Sequence, residues 1–187
     1  MKKAFVILTL ALGSLTMSAQ GFGSSSYDED FKKHEFSPML GIGGVLGDGT
    51  EKGFALELGF KYAYRFHPNI AWDAVKVSAI TMPEHFTESM QIQALSGFRG
   101  ITPVLFGNST LYANFGAGYG YYTDLETGGF AWEVGAGVCI NQRFSVGIVY
   151  NSTHISGETI EDPYHGYEFA APSSNPGFIG ARFAYTF

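Results

Sequence analysis

The 187-residue chain predicts an all-β fold, an eight-stranded antiparallel transmembrane β-barrel of the up-and-down kind, and three observations predict it. Bulky apolar side chains recur at every second position through most of the sequence, the period of a strand with two unlike faces. After the N-terminus, no segment has the roughly 18 continuous apolar residues that a membrane helix needs. Composition supplies the third: 45% hydrophobic and only 15% charged residues, with 17 Phe, 11 Tyr and 2 Trp, are too apolar for a disordered chain. One cysteine excludes a disulfide scaffold, and 11 basic against 17 acidic residues argue against a nucleic-acid partner.

Residues 1–19 read as a signal peptide. Lys2 and Lys3 form the charged end, Ala4 to Leu15 is mostly apolar, and Ser18-Ala19 is a small-residue exit, so the mature chain is expected to begin at Gln20. About a dozen apolar residues are too few to cross some 30 Å of hydrocarbon, and no cysteine stands near the junction to carry a lipid anchor. Removing Lys2 and Lys3 makes a chain of formal charge −6 more acidic still. Residues 20–36 are read as a polar lead-in, and 37–187 as the barrel.

Five strands are sharply patterned. Phe54, Leu56, Leu58, Phe60, Tyr62, Tyr64 and Phe66 alternate with Ala55, Glu57, Gly59, Lys61, Ala63 and Arg65. The odd-numbered row from Leu111 to Tyr121 opposes Tyr112, Asn114, Gly116, Gly118 and Gly120. Phe130 to Ile140 sets an aromatic and aliphatic row against Ala131, Glu133, Gly135, Gly137 and Cys139. Phe144, Val146, Ile148 and Tyr150 follow, and Ile179, Ala181, Phe183, Tyr185 and Phe187 form the last row, opposite Gly180, Arg182 and Ala184. Three weaker strands span 38–47, 70–82 and 90–102; in the second and third, Asp73, Lys76 and Arg99 leave the facing open, and a bulge there would shift the parity. All seven prolines are placed at strand ends or in connections.

The connections differ by side. Those at 67–69, 103–109 and 141–142 share the side of both termini, while 48–52, 83–89, 123–128 and the long 152–175 lie opposite, an asymmetry expected of an outer-membrane barrel. The long-loop side carries Asp48, Glu51, Glu84, Glu88, Asp124, Glu126, Glu158, Glu161, Asp162 and Glu168 against Lys52, so the outward face is acidic. A soluble barrel with the bulky row inside is the alternative. The charges on the opposing row favour the membrane reading, since Glu57, Lys61, Glu133 and Arg182 can pair inside a narrow barrel whereas a lipid-facing row needs no polar partner. Aromatics at both strand ends, Phe66, Phe144 and Phe187 on the turn side and Phe54, Tyr121, Phe130 and Tyr150 on the loop side, fit two interfacial girdles. Eight strands leave an interior filled by side chains, which disfavours a wide pore.

On these rows, residues 37–187 resemble the small eight-stranded outer-membrane proteins, the OmpX and Ail type and the OmpA barrel domain. The segment Ala181-Arg182-Phe183-Ala184-Tyr185-Thr186-Phe187 looks like the C-terminal assembly signal of that class, and Ser18-Ala19-Gln20 looks like signal endings of some Gram-negative lineages. The resemblance implies residence in the cell outer membrane, contact with its lipids and lipopolysaccharide, and recognition by the barrel assembly machinery. An extracellular ligand is a further expected partner.

One enzymatic constellation is present. His154-Ile155-Ser156 followed by Asn175-Pro176-Gly177 resembles the lipid A deacylase PagL, in which a His activates a Ser when an acid orients it. This chain departs from that pattern with Gly157 where the family has Asn and apolar Ile179 where its acid falls. His154, Glu158, Glu161, Asp162 and His165 contain metal-ligating types without a diagnostic spacing. Cys139 reads as a small inward side chain, and Asn151-Ser152-Thr153 as a chance match to a glycosylation triplet. The expectation is therefore a non-enzymatic barrel with an envelope-structural or adhesin-like role, no catalytic or metal site and no cofactor, with a PagL-like deacylase as the alternative.

Overall fold

A computed structural model describes residues 32–46, 53–83, 90–103, 108–123, 126–157, 159–161, 168–170 and 173–187. The expected signal peptide lies outside these residues, as does the lead-in up to residue 31. Among the described residues there are ten strands: β1 (His34–Leu46), β2 (Phe54–His67), β3 (Ile70–Thr81), β4 (Met90–Ile101), β5 (Ser109–Tyr122), β6 (Thr127–Ile140), β7 (Phe144–His154), β8 (Thr159–Glu161), β9 (Glu168–Ala170) and β10 (Gly177–Tyr185). Eight close into a barrel in the order β1-β10-β7-β6-β5-β4-β3-β2, each pair antiparallel. Thus the all-β, eight-stranded expectation holds. The connection expected at 152–175 is not uniform, because β8 and β9 form a separate two-stranded ladder within it.

Two boundary expectations are corrected. β1 begins at His34, so residues 34–36 belong to the wall and not to the lead-in. Pro38 consequently sits inside β1, opposite Phe60 of β2, and not at a strand end. It is tolerated because the register with β10 starts only at Met39, leaving Pro38 beside the terminal, incomplete part of that seam.

The wall is turned inside out relative to a water-soluble barrel. Ile148 is 69% and Phe98 60% exposed, whereas Glu57 is 0% and Glu133 2% exposed. A continuous apolar surface of this kind far exceeds the few hundred Å² that soluble monomers present to water. It suits lipid. Both expected girdles point outward, and their rings pack edge to face: Phe144 on Tyr185 at 4.9 Å and Tyr185 on Phe187 at 4.8 Å on the turn side, and Trp132 on Tyr150 at 5.3 Å toward the loops.

The open facing of β3 and β4 is resolved by a bulge. Tyr62 pairs with Val75 but Tyr64 pairs with Trp72, so Asp73 and Ala74 together oppose Ala63. Asp73 and Lys76, three residues apart, therefore both turn inward, while Trp72 and Val75 face out. The interrupted ladder is patched on the lipid side: Ser96 Oγ donates to the Asp73 carbonyl at 3.4 Å and accepts from Trp72 Nε1 at 3.1 Å. β4 alternates without a break, burying Gln91, Gln93, Leu95, Arg99 and Ile101.

Candidate functional site

The inward row fills the lumen in layers. At the turn side, Glu35 accepts from Arg65 Nη2 at 2.9 Å and from Arg99, Arg99 Nη2 lies 3.3 Å from Asp73, and Lys61 lies 3.7 Å from the other Asp73 oxygen. Below these, Ser37 and Thr186 hydroxyls meet at 2.9 Å. Midway, Arg182 forks twice: its Nε and Nη2 donate to Glu57 at 2.9 and 2.7 Å, and its Nη1 and Nη2 to Glu133 at 2.8 and 2.7 Å. Lys76 donates to Glu133 and stands 3.6 Å from Glu57, and Asn114 Nδ2 donates to Glu133 at 3.2 Å. Two carboxylates thus meet two cations, and paired forks of this geometry are the form in which buried ions are tolerated.

Toward the loops, Ala55, Ile80, Val149 and Phe178 form an apolar cluster with Val45 and Met82 against it. Beside it, Gln91 and Gln93 of β4 reach past β5 and β6 to β7. Glycine makes that crossing possible: a Cβ at Gly120 would strike the Thr153 side chain, and one at Gly137 would lie 2.8 Å from the Tyr112 hydroxyl. The inward glycines relieve crowding. They do not open a channel.

Among the described residues, the enzymatic constellation is not joined into a hydrogen-bonded His–Ser pair. His154 ends β7 on the exposed side, and its Nδ1 is 2.7 Å from Asn175 Oδ1; among the described residues no hydrogen bond joins it to Ser156. Ile179, at the position of the family's acid, lies opposite Tyr150 on the outer wall and is 42% exposed. Glu158, Asp162, His165 and the side chain of Glu161 fall outside the described residues, and among those described no cluster of three His, Cys, Asp or Glu is arranged to hold a metal ion. Asn151 is fully buried in the lumen, so the triplet it begins is inaccessible in the folded barrel. Cys139 faces inward and is partly buried.

Glu57, Glu133, Lys61 and Arg182 pair inside as their inward placement implied, with Lys61 meeting Asp73. Glu35 was missed. The signal was present, because the bulky row of the first strand extends back through Pro38 to Phe36, which leaves Glu35 on the inward row with Ser37 and Met39.

Similarity to known proteins is confined to architecture. No protein-family model and no curated protein sequence matches the chain. Among solved structures, Neisserial surface protein A superposes with a TM-score of 0.53 at 8% identity, covering 83% of this chain and 98% of that one. This chain has the fold of the small eight-stranded outer-membrane barrels. More distant matches are Ail of Yersinia pestis, with a TM-score of 0.42, 14% identity and 83% of this chain against 100% of that one, and the N-terminal barrel of Pseudomonas aeruginosa OprF, with 0.40, 11%, 81% and 97%.

Proposed function

We propose that this protein is a non-enzymatic barrel of the cell outer membrane, which serves envelope structure or presents its loops to an external partner. The observation that carries the reading is the lumen: ion pairs and amide bonds cross it from wall to wall, so the barrel is a closed, rigid support with no through-path among its described side chains. What varies is then presented by the loops. Their carboxylates, against Lys52, suit divalent cations that bridge to lipopolysaccharide phosphates, or a cationic extracellular surface. The resemblance at Ala181 to Phe187 supports delivery by the barrel assembly machinery, and the 1–19 pattern supports export with cleavage after Ala19. A deletion strain tests this: sensitivity to detergent and to chelators should rise, and surface proteolysis of the wild type should cut within the loops. Recovery of the native protein as a soluble periplasmic species would overturn the reading.

A deacylase remains a second reading, favoured by the His154–Asn175 contact on the exposed rim, two residues from Ser156. Without an acid at Ile179 the imidazole lacks the group that would stabilise its charged form. Replacing His154 or Ser156 by Ala is expected to leave lipid A acylation unchanged by mass spectrometry. A deacylated species made by the wild type and lost in both variants would replace the proposed function with the enzymatic one.

A further inference from the structure

The neutral layer of the lumen differs from the ionic layers in being incompletely bonded. Gln91 Nε2 donates to Thr153 Oγ1 at 2.9 Å, and Gln93 Nε2 donates to Asn151 Oδ1 at 3.2 Å and to Thr153 Oγ1 at 3.3 Å. Ser78 stands directly opposite Gln93 in the β3–β4 register and faces the same side. Ser78, Gln93 and Asn151 are all at most 1% exposed. Yet Ser78 Oγ, Gln93 Oε1 and Asn151 Nδ2 have no hydrogen-bond partner among the described residues.

Such groups do not stay unbonded in native interiors, since each would carry the full desolvation penalty of a polar atom. Exchanging the oxygen and nitrogen of both amides offers no escape: Gln93 Oε1 would then accept from Asn151 Nδ2, but Gln93 Nε2 and Asn151 Oδ1 would be left over instead. The three side chains adjoin one another, since Ser78 and Gln93 are register partners and Gln93 is bonded to Asn151.

We propose that Ser78, Gln93 and Asn151 form a binding site for a resident internal water. The chemistry selects it. Asn151 Nδ2 can only donate, Gln93 Oε1 can only accept, and the Ser78 hydroxyl does either, which matches a molecule that is both donor and acceptor. A metal cation would need acceptors alone and an anion donors alone. Three protein partners is the usual complement of a buried water. The glutamines span β5 and β6, and the inward positions of β5 there are Gly116, Gly118 and Gly120, which carry no side chain.

A crystal structure of the full folded protein at about 1.8 Å or better tests the site. Expected is a solvent peak within about 2.6–3.2 Å of at least two of the three atoms. Gln93→Met, which keeps the length of the side chain but removes the acceptor, should lose that peak while retaining the heat-modifiable gel mobility of a folded barrel. Absence of the peak in the wild type, where other buried waters are visible, would overturn the proposal, as would amides turned onto protein partners. Persistence of the peak at full strength in Gln93→Met would also overturn it. If that variant does not fold, the wild-type map alone decides.

Discussion

Arg182 is the residue on which the most buried charge depends. Its four hydrogen bonds are split between Glu57 of β2 and Glu133 of β6, so one side chain from β10 joins three strands that are not neighbours in the wall. Removing it would leave two buried carboxylates sharing Lys76. Arg182→Met is therefore expected to destabilise the folded barrel by about 3–5 kcal/mol, the usual result of stripping one partner from a buried pair. Arg182→Lys restores the charge but not the two forks, and should recover only part of that loss. Urea denaturation in detergent micelles, followed by gel mobility, would rank wild type above Arg182→Lys above Arg182→Met. Equal midpoints for all three would mean that the central ring contributes nothing to stability.

At the scale of elements, β3 and the β6–β7 turn each rest on a local departure from ideal geometry. Deleting Ala74 from the bulge leaves Asp73 and Lys76 two residues apart, so strict alternation keeps both turned inward without the bulge. That deletion should therefore retain the heat-modifiable form of a folded barrel, as should Ala74→Val, and its loss on deletion would show that the bulge itself is required. The turn poses a milder problem. Asn141 and Gln142 have φ of 52° and 56°, and Arg143 N donates back to the Ile140 carbonyl at 3.1 Å, the geometry of a type I′ turn. Asn tolerates that region, but Gln pays a steric cost that glycine avoids. Gln142→Gly is expected to raise stability by about 0.5–1 kcal/mol in the same denaturation assay. A lowered midpoint would show that the turn is not strained at that position.

For the whole molecule, the decisive property is that eight strands enclose a space which the side chains themselves fill. The turn-side cluster, the Arg182 ring and the apolar cluster around Phe178 succeed one another along the lumen, and each ties strands that are not neighbours in the wall. Pure protein in planar bilayers is expected to show no sustained porin-sized conductance. Reproducible large openings would require these layers to part, and would reject the closed-support view together with the function built on it.

Period-two patterning was sufficient for the number of barrel strands and their antiparallel up-and-down order, because side-chain direction in a strand alternates by chain geometry alone, while the charges on the row opposite the aromatics indicated which row faces out. It also placed Glu57, Glu133 and Arg182 on one inward row. It could not say which carboxylate meets which cation, since Arg182 and Glu57 are 125 residues apart and meet only after the closing strand pairs with the first. Nor could it choose the facing of β3, because a bulge inserts one residue whose position depends on the neighbouring strands and not on the local pattern. The candidate His154–Ser156 pair was legible as residue types, but whether it forms a reactive site depended on a third group, and closure of the barrel places Ile179 on the lipid face. Strand identity thus followed from local alternation, while pairing across the lumen was decided by closure, which alone brings distant side chains within hydrogen-bond reach.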